Sequence, residues 1–396
     1  MHPAVARLFG EGVTCRARPA TGRPVPLRCL MPVWGMILMK LQGFLSCVLD
    51  PRLERFEMIR VAAIRLGRLG DLVMVLPALQ WMSGFAELSV HLICADRYRE
   101  LLARLLPAVQ VHGASGSREL GSFDVVLDLH GVAASFRLGR SLQRSGHGFD
   151  LRVGKQTLAR RGQLKGFLPW TRLAASLSAG LAGDAPLRTW PERHLLLTQR
   201  ALSRLGLDPG DCPSVVPRAS LSGAAHRRPG RLGLVLDAGH PSKRWPVERF
   251  VRLALHWHDL TGAEVVPFAG PDNAQLFEGF EQLNFARPAS PPDPLQLAQR
   301  LAGCDLVVAG DTGPLHVAGA LGCRLVALFG PTSTETGFWV WQGQGVALAG
   351  SAACRPCSLH GAGGCPRWEQ VCMQDISVEA VVEEVIGLTS PGRRSA

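Results

Sequence analysis

Residues 307–332, VVAGDTGPLHVAGALGCRLVALFGPT, decide how the chain folds. Short apolar runs at 305–309 and 324–329 are rich in Val and Leu and bounded by Gly and Pro, as strands covered on both faces are. Between them, residues 315–321 read as a small-residue helix, and Ala318, Gly319, Ala320 and Gly322 let it pack closely. The helix N-terminus then opens at the carboxyl end of a parallel strand, where open α/β sheets bind ligands. Free backbone N–H groups there favour an anion such as a phosphate. Thr312 and His316 are four residues apart, a spacing that turns both to one helix face over that site. Asp311 reads equally well as an ordinary helix cap.

The same rhythm recurs on both sides. An apolar strand at 59–65 runs into the turn Leu66-Gly67-Arg68-Leu69-Gly70-Asp71, and residues 72–82 read as a helix bent or broken at Pro77. That turn lacks the spacing of a dinucleotide fingerprint or a P-loop. Asp71 is either the cap of the following helix or, facing a cleft, a base. Strand and helix follow at 88–94 and 97–106, then a strand at 125–129 and a basic helix with Arg137, Arg140 and Arg144. Those arginines are a solvated face or the partners of an anionic acceptor. Residues 151–190, with Arg160, Arg161, Lys165 and Trp170, carry little pattern and read as a loop and helix at a cleft rim. A helix at 194–205 closes this half.

Residues 215–231 have the Pro, Ser and Gly content of a linker. Beyond it come strand 232–236, loop 237–244, helix 246–261, strand 264–269, helix 273–283 and helix 294–301. Alternating strands and helices on both sides of a linker predict α/β architecture: two doubly wound, Rossmann-like domains facing across a cleft, at 58–220 and 221–396. In the loop at 237–244, Lys243 and Arg244 stand at a sheet edge suited to neutralising a diphosphate, or are plain surface charge.

The net charge of +11 does not make this a nucleic-acid binder, because Arg is scattered and a single Tyr is present to stack bases. A sugar nucleotide or an anionic lipid headgroup explains the charge as well. Residues 1–57 differ from the rest, with eight Arg or Lys against four acids. Their apolar run at 29–39 is shorter than the ~20 residues a spanning helix needs, and no secretory cleavage pattern follows. They read as an extension, either a membrane-surface anchor or the product of an early start codon. A chain starting at Met58 is expected to fold and to keep its activity.

Eleven cysteines without an export signal suggest a reducing, cytoplasmic compartment and mostly free thiols. Cys354, Cys357, Cys365 and Cys372 lie in a loop at 354–372 with spacing Cys-x2-Cys-x7-Cys-x6-Cys. Such a set can hold structural zinc, although the spacing is not that of a paired zinc ribbon.

Three segments, LGRLGDLVMVLPA at 66–78, SKRWPVERF at 242–250 and residues 306–332, together resemble glycosyltransferase family 9. Its best-known members are the ADP-heptose:lipopolysaccharide heptosyltransferases. The Asp-Thr-Gly-x-x-His segment followed by Phe-Gly-Pro-Thr is the most specific part. The resemblance implies a GT-B fold, with the acceptor on the N-terminal domain and the nucleotide sugar on the C-terminal one. It implies Asp71 as general base, Lys243 on the donor diphosphate, and Asp311, Thr312, Gly313 and His316 in the nucleotide-sugar loop. Arg137 and Arg140 would meet a lipid-linked or anionic saccharide acceptor. Transfer would be inverting and metal-independent, need no cofactor, and take place in the cytoplasm or at the cytoplasmic face of the inner membrane. The cysteine-rich loop receives no catalytic role.

Overall fold

A computed structural model describes residues 58–143, 149–152, 189–358, 360–361, 365 and 369–389. Residues 1–57, Arg144 and the rim residues Arg160, Arg161, Lys165 and Trp170 lie outside the described residues.

Met58–Ala396 contains two five-stranded parallel sheets. The first is built from β1 (Ile59–Arg65), β2 (Leu88–Cys94), β3 (Gln110–Gly113), β4 (Val125–Asp128) and β5 (Phe149–Arg152), in the order β3-β2-β1-β4-β5. Its helices are α1 (Leu69–Val73), α2 (Leu76–Met82), α3 (Arg99–Leu105), α4 (Ala133–Leu142) and α5 (Trp190–Arg204). The second sheet uses β6 (Leu232–Val235), β7 (Val265–Phe268), β8 (Leu306–Gly310), β9 (Arg324–Phe329) and β10 (Gly345–Ala349), ordered β10-β9-β8-β6-β7. Its helices are α6 (Val247–Thr261), α7 (Pro294–Ala302), α8 (Gly313–Ala320), α9 (Val371–Gln374) and α10 (Val378–Thr389).

The strands form where the sequence is apolar without alternation. Val61–Ile64 in β1 and Leu306–Ala309 in β8 are wholly buried, as parallel strands covered by helices on both faces must be. The strand orders then fix where ligands can go. In the first sheet the connections change direction between β1 and β4, and in the second between β6 and β8. Such switch points leave a crevice outside the carboxyl ends of the strands. The turns after β1, β6 and β8 all open there.

The two crevices meet. α1 packs directly on α8: a Cβ at Gly70 would fall 2.8 Å from Cδ2 of His316, and one at Gly313 would fall 2.9 Å from Cβ of Leu69. Only glycine permits that approach, and one buried apolar cluster includes Leu69 and Leu72 as well as Leu315 and Ala318. No described helix is long and apolar enough to cross a membrane.

Several local expectations change. The helix expected over 72–82 is two helices, α1 and α2, parted at Met74 and Val75, with Pro77 in the first turn of α2 where its missing N–H is harmless. The stretch expected as a helix over 273–283 is a short 3-10 segment, Pro271–Phe277. Asn273 leaves helical geometry there (φ −125°, ψ 32°), and its side-chain amide donates to Asp237 Oδ2 at 2.7 Å. α5 starts four residues before the expected 194: Thr189 and Glu192 cap it reciprocally, with Pro191 in its first turn. Strands β3, β5 and β10 were not expected at all.

Candidate functional site

The turn after β1 is organised by a buried arginine. The Arg65 side chain is 4% exposed, its guanidinium donates to Leu129 O and lies 3.1 Å from Asp71 Oδ1. Burial lowers the Arg65 pKa, while the neighbouring carboxylates of Asp71 and Asp128 oppose that shift. Asp71 Oδ2 accepts from the backbone N–H of Arg68 at 3.3 Å, closing the first turn of α1. Asp71 is therefore a cap and an ion-pair partner. Its side chain also stays 20% exposed, although it is not in the lining of the cavity beside Thr312.

The turn after β8 is built differently. Asp311 is buried, with Oδ2 3.7 Å from Lys243 Nζ and Oδ1 3.8 Å from His316 Nε2. Lys243 Nζ also donates to the carbonyl of Asp311. Burial alone would raise the Asp311 pKa; His316 and the Lys243 charge more than offset it and hold the carboxyl well below the usual range. Trp341 Nε1 donates to His316 Nδ1 at 3.1 Å, which fixes the tautomer with the proton on Nε2, facing Asp311.

Thr312 and His316 do not look out together. Thr312 is the N-cap of α8 with extended backbone (φ −139°, ψ 163°), so helical spacing does not relate the two side chains. His316 turns inward to Trp341 and Gly70. Thr312 instead lines a cavity of ≈ 500 Å³, and its Oγ1 is buried without a hydrogen-bond partner among the described residues. Arg68, Leu69 and Arg97 close this cavity from the first sheet; Gly239, Lys243 and Gly313 belong to the second. Arg68 Nη2 reaches His240 Nε2 at 3.3 Å across the cleft. Arg244 points back to Asp237 at 2.6 Å, leaving Lys243 as the cation of its loop on the cavity.

Asp71, Lys243, Asp311, Thr312, Gly313 and His316 are thus gathered where α1 meets α8. Arg137 and Arg140 are exposed on α4 and do not line the cavity. Cys354, Cys357, Cys365 and Cys372 line a separate small cavity of ≈ 70 Å³ beside Ser242. Burial pushes the Cys372 thiol up to about 11 and raises Cys357 as well. Among the described residues, no group of three or more His, Cys, Asp or Glu is placed to hold a metal ion. Arg65 and Trp341 were missed in the sequence, which marks neither as the partner of a site residue.

Residues 216–358 match the family model for glycosyltransferase family 9 (heptosyltransferase). The chain is 32% identical over 170 residues to a lipooligosaccharide heptosyltransferase 2 of Campylobacter jejuni, covering 40% of this chain and 52% of the relative. It is 36% identical over 102 residues to lipopolysaccharide heptosyltransferase 2 of Escherichia coli, covering 24% and 29%. The chain spans about half the length of the first of these relatives and less of the other. Among solved structures, a glycosyl transferase family 9 protein from Veillonella parvula superposes with a TM-score of 0.60 at 19% identity, covering 84% of this chain and 97% of that one. The Escherichia coli ADP-heptose lps heptosyltransferase II superposes with a TM-score of 0.57 at 19% identity, covering 84% and 98%. The fold is GT-B, two parallel α/β sheets about a cleft.

Proposed function

We propose that this protein is an inverting glycosyltransferase that moves heptose from ADP-heptose onto a lipopolysaccharide core acceptor. The observation that carries this reading is Thr312 at the start of α8, which with Lys243 lines a cavity large enough for a nucleotide and whose buried hydroxyl has no hydrogen-bond partner among the described residues. A buried hydroxyl without a partner is costly unless a ligand supplies one. A helix N-terminus, a hydroxyl and an ammonium together suit a diphosphate.

The chemistry follows from the groups gathered where α1 meets α8, with Lys243 and Thr312 in the lining of the cavity and Asp71 beside it. Asp71 takes the proton of an acceptor hydroxyl, and the freed oxygen attacks the anomeric carbon from the side opposite the diphosphate. As that bond forms, the bond from the anomeric carbon to the diphosphate oxygen breaks, and its electron pair leaves with ADP. Lys243, Thr312 and the first N–H groups of α8 stabilise the departing charge, a role worth about 3–4 kcal/mol of barrier for one well-placed donor. These groups serve without a metal or other cofactor. One displacement inverts the anomeric centre. Because a lipid-linked acceptor lies at a membrane, the reading places the protein in the cytoplasm, at the inner face of the inner membrane.

The test is direct. Purified protein is given the heptose and hexose conjugates of ADP, GDP and UDP with a heptose-deficient core acceptor, and products are read by mass spectrometry. Transfer from ADP-heptose with inverted anomeric configuration is expected. Transfer solely from UDP or GDP sugars overturns the donor assignment, and none from any donor overturns the enzyme reading.

A further inference from the structure

The cavity that carries Lys243 and Thr312 has a second end of different chemistry. β6 lies between β7 and β8, and its register pairs Val235 with Phe268 on one side and with Ala309 on the other. Two residues beyond those pairs the chain turns at Asp237, Gly270 and Asp311, and Thr312 follows. Neighbouring strands lie about 4.8 Å apart, so the turn after β7 stands roughly 10 Å from the start of α8. Asp237, Gly270 and Thr312 all line the cavity. A ligand with its phosphates on Thr312 and Lys243 therefore extends over Asp237 towards Gly270.

The Asp237 carboxylate is held in a fixed direction. Oδ1 accepts from the Ala238 N–H at 2.7 Å and pairs with Arg244 at 2.6 Å. Oδ2 accepts from Asn273 Nδ2 at 2.7 Å. A carboxylate offers about four acceptor positions, so Oδ2 keeps a free one, and the side chain is 22% exposed. Gly270 leaves that oxygen uncovered, because a Cβ there would fall 3.3 Å from Oδ2, closer than ordinary packing. The lining side chains from β7 and its turn, Phe268 and Pro271, are apolar and cannot donate to a ligand.

The two ends of the cavity therefore ask for different groups. The Lys243 end suits phosphate. A phosphate at Asp237 would be repelled, whereas a hydroxyl donates to it, and Arg244 balances the carboxylate so that a diphosphate one strand away is tolerated. In a nucleoside diphosphate the hydroxyls next to the phosphates are those of the ribose.

We infer that Asp237 binds the ribose of the nucleotide-sugar donor, its Oδ2 accepting a hydrogen bond from one ribose hydroxyl, with Asn273 setting its direction and Gly270 its access. The inference rests on the glycosyl-transfer reading above and adds to it a source of donor selectivity. A site built to accept a hydroxyl rejects the analogue that lacks it, because the acceptor covered by that ligand loses water and gains no partner. The cavity should thus tell a ribonucleotide from its deoxy form. No bond to Asp237 forms or breaks in the transfer step.

The experiment uses the full chain and four probes, ADP, 2′-deoxy-ADP, 3′-deoxy-ADP and inorganic pyrophosphate, by calorimetry. Wild type is expected to bind ADP about tenfold more tightly than the analogue lacking the contacted hydroxyl, the weight of one hydrogen bond to a charged group. Asp237→Ala should bind ADP and both analogues alike. The ratio is the readout, because Arg244, released in the variant, changes phosphate affinity by itself; that change shows equally with pyrophosphate. Asp237→Asn, which keeps an oxygen acceptor and the size of the side chain, should retain part of the discrimination, and it serves if the Ala variant folds poorly. Equal binding of ADP and both analogues by wild type overturns the inference and leaves the glycosyl-transfer reading standing, as does full discrimination in both variants. A defect confined to ADP-heptose, with the ADP ratio intact, assigns Asp237 to the transferred sugar and also overturns it. A wild type that binds no nucleoside diphosphate overturns both readings.

Discussion

The turns after β1 and β8 share one plan, a strand, a glycine-bearing turn and an aspartate at the start of a helix, yet they hold that aspartate in opposite ways. Asp71 is braced by buried Arg65 and remains partly exposed. Asp311 is buried between Lys243 and His316, where no substrate atom can reach both its oxygens. The same sequence device thus yields a carboxylate that can act on a ligand and one that positions the groups that do. Topology puts both at a switch point; exposure leaves Asp71 the more accessible of the two.

Substitution of each aspartate should expose the difference, and the largest effect belongs to Asp71. Asp71→Asn should lower kcat about 10²–10⁴-fold, the weight of a general base, with little change in donor affinity. The Arg65 guanidinium then loses its countercharge, so the variant should also lose about 1–3 kcal/mol of stability, measurable by denaturant titration. Asp311→Asn should instead weaken ADP binding through Lys243. If both variants lost only turnover, the distinction between the two turns would collapse.

Lys243→Ala should weaken ADP about tenfold to a hundredfold in calorimetry, as loss of a charged hydrogen bond does. It also leaves Asp311 buried with its main cation gone, so the melting temperature should fall more than for an exposed lysine. ADP affinity equal to that of wild type would remove Lys243 from the donor site.

Acid should separate the turns by pH. His194 lies under the first turn, with Nδ1 3.0 Å from Met74 O, and burial followed by the Arg65 charge pushes its pKa down to about 3. Its unfolded pKa is about 6.5, so the unfolded chain binds the extra proton between pH 6.5 and 3. Stability must therefore fall with pH through that window, at a slope approaching ~1.4 kcal/mol per pH unit. Asp311 has the opposite margin. Its contribution is present above the unfolded carboxyl value of about 4 and is lost only as pH falls through its lower folded value. Urea titrations from pH 7 to 4 should show wild type losing stability and His194→Gln losing less; equal slopes would contradict the account.

The smallest effect is expected at the tautomer lock. Trp341→Phe removes the N–H that Nδ1 of His316 accepts, and should cost about 1 kcal/mol of stability. ADP affinity should drop less than in Lys243→Ala. A drop as large would make His316, not Lys243, the dominant anchor of Asp311.

Much of this was legible in the chain. The central strands announce themselves because both faces are buried, as in VVAG at 307–310. β3, β5 and β10 are all at sheet edges, where half-exposed positions such as Gln110 and His112 break the apolar run. Order and spacing put Asp71, Lys243 and Thr312 at strand-edge turns, where the structure has them, but left open whether they serve a ligand or the fold. Arg65 could not be placed this way, because it ends a strand as an unremarkable basic residue and its value lies in being buried. Trp341 reaches His316 from a distant loop, through a contact that no local pattern encodes. Thr312 and His316 do not share a face, since Thr312 is the extended N-cap before a helix that starts at Gly313 rather than a residue within it.

The account's central claim is that the start of α8 receives the donor diphosphate, and Thr312 tests it with the least collateral change. Thr312→Val keeps the shape of the side chain and removes the hydroxyl that is buried without a partner among the described residues. In calorimetry with ADP, wild type should bind and Thr312→Val should bind about three- to tenfold more weakly, one neutral hydrogen bond's worth, with a melting temperature equal or higher when no ligand is present. ADP bound equally by both proteins, or a variant destabilised without ligand, would contradict the claim that this hydroxyl waits for a phosphate.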